Sequence, residues 1–159
     1  MNLSEKLKSH ILKTEVCQCC ERLSIIRHDG ICLFSNAEDN FESASISALV
    51  SGLWQAAESL NGLATSDKSF SEYRLSFDTT NNGLYVLPLL LNQEDYYLCA
   101  IFNQVDNPAK LKRELRVLKQ ELENNNSIRT HSTQADRAGY LFKDITDEEI
   151  NKIFEVSGV

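Results

Sequence analysis

The chain is poor in glycine, with six among 159 residues, and they are scattered rather than gathered into a loop. No stretch of the form G-x-x-x-x-G-K followed by Ser or Thr occurs, so the backbone cradle that grips nucleotide phosphates is missing. Histidine is equally scarce, and none is visibly paired with a nucleophile and an orienting carboxylate: His28 falls beside a turn and His131 in a polar stretch. These absences point to a protein with no catalytic centre and no cofactor of its own.

Positive charge is in short supply as well. Sixteen Lys and Arg face 23 Asp and Glu, a net charge of -7 that opposes broad contact with a nucleic-acid backbone or an anionic membrane surface. Residues 1–13 mix charged and apolar side chains without an uninterrupted apolar run, so neither a secretory signal nor a membrane span is expected. The expected address is cytoplasmic, with no nucleic acid and no membrane insertion among the partners.

The five cysteines lack the even count and spacing of a disulfide framework, which suits a reducing compartment. Cys17, Cys19 and Cys20, with His10 at some distance, invite a zinc reading, because thiolate and imidazole favour that metal. The pair of C-x2-C knuckles is missing, however, and adjacent Cys19 and Cys20 would point apart on a strand, so no metal is assigned and a thiol or metal sensor ranks last among the functions. Cys32 and Cys99 lie in apolar strand-like surroundings and read as core.

What is present suits one domain. With 42% hydrophobic residues, a chain of this length buries roughly 70% of its unfolded surface without a staple. Leu3, Leu7, Ile11 and Leu12 fall at helical spacing, with Ser4 and Glu5 near the start. Leu23 to Ile26 and Ile31 to Phe34 flank Asp29-Gly30, the pattern of a hairpin with a tight two-residue turn. After a polar loop from Ser35 to Glu42, Ser43 or Ser45 can cap a second helix, whose Ile46, Leu49, Leu53, Ala56, Leu60 and Leu63 form one apolar stripe, the expected core side. Three strands follow, Tyr73 to Thr79, Leu84 to Leu90 and Tyr96 to Asn103, and the short connections between them force antiparallel neighbours. Asn107 and Pro108 open a third helix with Leu111, Leu115, Leu118 and Leu122 on one face, ending near Asn124 to Asn126.

Residues 127–139 are almost devoid of apolar side chains and read as a flexible linker. Residues 140–159 regain them through Phe142, Ile145, Ile150, Ile153 and Phe154, and Thr146 to Glu149 fits a capping box for a short helix. A helix this short is marginal alone in water, so this tail needs a surface to dock on.

The order helix, hairpin, helix, three-stranded meander, helix resembles the Roadblock family over nearly the whole chain. The hairpin Ile25 to Leu33 looks like its opening strands, Ser45 to Gly52 like the start of its central helix, and Leu98 to Asn103 like its last strand, followed by a helix with cations from Lys110 to Lys119. The tail, Leu141 to Phe154, is similar to the C-terminal segment of the bacterial MglB branch. The resemblance implies an α+β fold of order α-β-β-α-β-β-β-α, a five-stranded antiparallel sheet with helices on both faces, plus the short C-terminal helix. Residues 1–126 would form the Roadblock domain. It further implies a homodimer joined sheet edge to sheet edge with the central helices side by side, and two regulators acting on one MglA-like Ras-like GTPase in bacterial cell polarity or motility, with concentration at a cell pole. The implied activity is GTPase activation by docking, without an inserted arginine; a non-activating scaffold or adaptor is the alternative.

Opposite the apolar stripe, the central helix carries Ala48, Ser51, Gly52, Gln55, Ser59 and Gly62, small or polar residues that let another backbone approach. They read either as a solvated face or, through the resemblance, as the GTPase and dimer interface. Trp54 either anchors that interface or fills the edge of its own core. Lys112, Arg113, Arg116 and Lys119 form a basic stripe that is either solvated or in contact with acids, those of the tail (Asp144, Asp147, Glu148 and Glu149) or those of a GTPase.

Overall fold

The computed structural model describes residues 2–64, 70 and 73–128. Most of the expected linker and all of the expected tail lie outside the described residues. The elements are α1 (Leu3–Ile11), α2 (Glu15–Cys19), β1 (Arg22–Arg27), β2 (Cys32–Ser35), α3 (Asn40–Gly62), β3 (Leu75–Asp78), β4 (Gly83–Leu91), β5 (Glu94–Phe102) and α4 (Pro108–Asn124). The five strands form one antiparallel sheet in the order β2-β1-β5-β4-β3, so β2 and β3 are its edges. This is the α+β architecture expected from the sequence, with α2 as an addition.

Local chemistry accounts for most boundaries. The Asn2 side chain accepts from the Glu5 amide while the Glu5 carboxylate accepts from the Asn2 amide, a reciprocal cap that starts α1 one residue before the serine noted in the sequence. Asn107 accepts from the Lys110 amide at 3.0 Å and Pro108 occupies the first turn, so α4 starts as its sequence indicates. Asn92 and Gln93 between β4 and β5 both have positive φ, 52° and 66°, the pairing that matches the twist of a two-residue hairpin.

The first hairpin differs from the two-residue expectation. The Gly30 amide bonds to the Arg27 carbonyl at 2.8 Å and the Arg27 amide to the Ile31 carbonyl at 2.8 Å, leaving His28, Asp29 and Gly30 as the loop. With Gly30 at φ 86°, this is a type I turn closed by a left-handed residue, a geometry that glycine adopts without strain. The cysteine run also differs, since Cys17 and Cys19 lie on α2 rather than on a strand, and the Cys20 amide bonds back to the Val16 carbonyl.

Two apolar cores lie on opposite faces of the sheet. The larger packs α1, α2 and α4 through Leu7, Ile11, Val16, Leu111, Leu115, Leu118 and Leu122 against Leu23, Ile25, Leu89 and Leu98. Ile128 is buried there too, so the packed body continues past the boundary expected at residue 126. The smaller core lies under α3 and contains Ile26, Val50, Trp54, Val86, Tyr97 and Cys99. Cys99 is core as expected, whereas Cys32 is only partly buried.

Candidate functional site

The central helix α3 begins earlier than its serines suggest. Asp39 is the cap, accepting from the Phe41 amide at 2.8 Å, and it shortens the expected loop. Ser43 and Ser47 instead lie on the buried side, their hydroxyls donating to the carbonyls one turn back, Asp39 at 2.9 Å and Ser43 at 2.8 Å. Satisfied in this way, serine can be buried without an unpaired polar group.

This overturns the expected orientation of the helix. The side that packs on the sheet consists of Ser43, Ser47, Val50, Ser51 and Trp54. The leucine stripe faces away: Leu49 is 73% exposed, Leu60 69% and Leu63 87%, with Leu53 and Ala56 exposed between them. Ile46 alone of the stripe packs partly against the core beneath. A period of three and four identifies residues that share a face but cannot say which way that face points. Here small serines allow the helix to lie close to the sheet and Trp54 supplies the bulk.

Trp54 is 2% exposed, with its ring 5.1 Å from Tyr97 and 5.7 Å from Phe70. It therefore fills its own core rather than presenting an anchor. Ser51 is buried as well, donating to the His28 carbonyl at 2.7 Å, and the Gln55 amide reaches the same carbonyl at 3.3 Å. A Cβ on Gly30 would stand 3.6 Å from the Ala48 Cα and 3.7 Å from the Ser51 Cβ. The backbone that these small residues admit is thus the chain's own hairpin tip. Ala48, Gly52, Gln55, Ser59 and Gly62 remain exposed along that flank.

The other flank of α3 borders an apolar groove of about 680 Å³, lined by Ile46, Leu84, Ile101 and Phe77 among others. α3 lies over β1 and β2, and its Val50 and Trp54 reach Val86 and Tyr97, so Leu75 and Leu84 are partly covered while Phe77 on the edge strand β3 is left open on this face. Phe77 on that edge is 80% exposed and stands in register with Leu84. At the rim of the groove, Arg22 grips Glu42 with two bonds of 2.9 and 3.1 Å. Phe77 is not among the site residues expected from the sequence, although the alternation of β3 places it on the same face as Leu75.

The basic stripe of α4 is divided. Lys112 reaches across to the edge strand, 2.7 Å from Asp78 and 2.8 Å from the Ser76 hydroxyl, with its ammonium 5.4 Å from the centre of the Tyr85 ring. Lys112 and the Ser76 hydroxyl hold the Asp78 carboxyl below the usual carboxylate range. Lys119 lies 3.7 Å from Glu123. Arg113 and Arg116 have no partner among the described residues.

The cysteines do not gather into one site. Cys17 and Cys20 are buried and Cys19 is exposed, and among the described residues no three His, Cys, Asp or Glu side chains converge as a metal would require. Burial pushes the Cys20 and Cys99 thiols up to about 12.

The sheet order, the helices on its two faces and the exposed central helix define the Roadblock/LC7 fold, which this chain has. Among solved structures, Myxococcus xanthus MglB superposes with a TM-score of 0.59 at 14% identity, over 73% of this chain and 92% of that one. An MglB described as having a tetrameric arrangement gives 0.60 at 17% identity, over 77% and 89%. The Roadblock/LC7 domain from Streptomyces avermitilis gives 0.53 at 16% identity, over 67% and 88%. No protein-family model matches the chain, and no curated protein matches it. No described helix is long and apolar enough to cross a membrane.

Proposed function

We propose that the chain is a homodimeric regulator of a small Ras-like GTPase of the MglA kind, docking the GTPase on the outward side of α3 and activating it in bacterial cell polarity or motility. The ridge Leu49, Leu53, Leu60 and Leu63 carries this reading: it is a run of exposed apolar side chains along α3 and its C-cap. A contiguous apolar patch on a protein surface marks an interaction site, because leaving it in water forgoes roughly 25 cal/mol for every Å². The likeness to MglB structures supports the kind of partner. Ala48, Gly52, Gln55, Ser59 and Gly62 would widen the contact beside the ridge, whereas the buried Ser51 and Trp54 would support it from beneath.

The second copy would cover the groove. Pairing β3 with β3 about a two-fold axis extends both sheets and sets the exposed Phe77 of each chain against the open flank beside the other's α3. The two ridges then form one platform for a single GTPase. Assembly beyond the dimer has a parallel in the MglB with a tetrameric arrangement.

Such a regulator performs no chemistry and needs no cofactor. Its effect on hydrolysis would come from ordering the GTPase's own catalytic groups around the developing charge of phosphoryl transfer. Single-turnover GTP hydrolysis by the cognate GTPase tests this directly. Faster phosphate release at saturating regulator is expected; complex formation with an unchanged rate would leave an adaptor rather than an activator. The expected location is the cytoplasm, concentrated at a cell pole, and imaging of a fluorescent fusion would show it.

A further inference from the structure

We propose that the C-terminal segment Leu141–Phe154 docks on the outer side of α4 of its own chain, through Arg113, Arg116 and Val117. This surface lies across the sheet from the leucine ridge, so the proposal stands independently of the GTPase reading. Of the five cations on α4, three are engaged: Lys110 by Glu114 at 3.6 Å, Lys112 by Asp78 at 2.7 Å and Lys119 by Glu123 at 3.7 Å. Arg113 and Arg116 are left without a partner among the described residues, beside Val117, which is 48% exposed one turn after Arg113. A guanidinium pair flanking an apolar side chain fits a ligand that is both acidic and apolar.

The segment has that composition. Asp144, Asp147, Glu148 and Glu149 face only Lys143 and Lys152, and Phe142, Ile145, Ile150, Ile153 and Phe154 are interleaved with them. The chain leaves the described body at Ile128, which is anchored in the core beside α4. From the end of α4 at Asn124 back to Arg116 is roughly 12 Å at helical rise. The stretch 129–139 spans up to roughly 36 Å when extended, so the reach is sufficient. The groove on the α3 side is a poorer host, because Glu21, Glu42 and Asp78 line it and its Arg22 is already held by Glu42.

Amide hydrogen exchange of residues 141–154 in the full chain, without any GTPase, tests the proposal. Exchange roughly tenfold slower than for an unprotected peptide is expected in low salt, and the protection should be lost in about 1 M salt, where the screening length falls to roughly 3 Å. The double variant Arg113→Glu/Arg116→Glu should lose it without salt. Adding Glu148→Arg/Glu149→Arg to that variant should restore it, whereas Leu49→Asp on the ridge should leave it unchanged. Unprotected exchange in the unaltered chain, or protection that survives reversal of both arginines, would overturn the assignment.

Discussion

The Ser51 hydroxyl donates to the His28 carbonyl at 2.7 Å, tying the middle of α3 to the tip of the first hairpin. Gly30 sits in the same contact, with φ 86° and the backbone of Ala48 within van der Waals distance of its missing side chain. Small residues on this flank thus position the central helix on its own sheet. Ser51→Ala should destabilise the fold by about 0.5–1.5 kcal/mol, the usual net worth of one hydrogen bond, because the Gln55 amide still donates to the same carbonyl at 3.3 Å. Gly30→Ala should cost about 1–2 kcal/mol through its left-handed backbone. Urea denaturation midpoints check both, and unchanged midpoints would mean that the hairpin tip does not rest on α3.

The two sides of α3 should respond to mutation in opposite ways. Trp54→Ala removes a buried ring and should cost about 3–5 kcal/mol. Leu49→Asp combined with Leu60→Asp alters exposed positions and should leave the stability of a single protomer within about 0.5 kcal/mol. The same pair should weaken binding to the GTPase by at least roughly a hundredfold if the ridge contains its hot spots. Thermal melts beside a binding titration separate the two effects.

Phe77 and the groove predict the oligomer. Phe77→Asp should yield monomers in sedimentation at concentrations where the unaltered chain is dimeric, because a carboxylate would be buried against Ile46, Leu84 and Ile101. A variant that remains dimeric would move the interface away from β3.

The buried thiols predict a decline in stability at alkaline pH. Burial raises Cys20 and Cys99 from 9.0 to about 12, so the folded chain retains protons that the unfolded chain releases. Their contribution is complete below pH 9.0 and is lost as pH rises toward about 12. At the acid end, the Arg27 side chain holds the Asp29 carboxyl at about 2, against 3.8 ordinarily, and its contribution is lost as pH falls through that interval. Denaturation midpoints across pH check both signs. In the native protein, a thiol reagent at neutral pH should modify the exposed Cys19 well before Cys20 or Cys99.

Much of this fold could be read from local chemistry. The Asn107–Pro108 start of α4, its four buried leucines and the antiparallel pairing of strands joined by short turns follow from caps, turns and alternation, whereas the pairing of β1 with β5 is implied only by the family resemblance. Two features of α3 were hidden for physical reasons. Asp39 outcompeted Ser43 and Ser45 as the cap because those hydroxyls bond back to carbonyls within the helix, an option that sequence spacing does not reveal. The orientation of α3 is the reverse of the one its spacing predicts, because leucine at helical spacing ordinarily marks the side that faces the sheet. Here the leucines are left for another surface, while three serines, a valine and a tryptophan form the contact with the sheet. This helix departs from the local pattern of apolar side inward, and such departures are where a functional surface is expected.

Hydroxyl-radical footprinting of Leu49, Leu53, Leu60 and Leu63, with and without saturating GTP-loaded GTPase, tests the central claim most directly. Docking on the ridge predicts that all four lose reactivity in the complex while Val117 on the far side keeps its own. A stable complex in which the four leucines remain as reactive as in the free protein would contradict it.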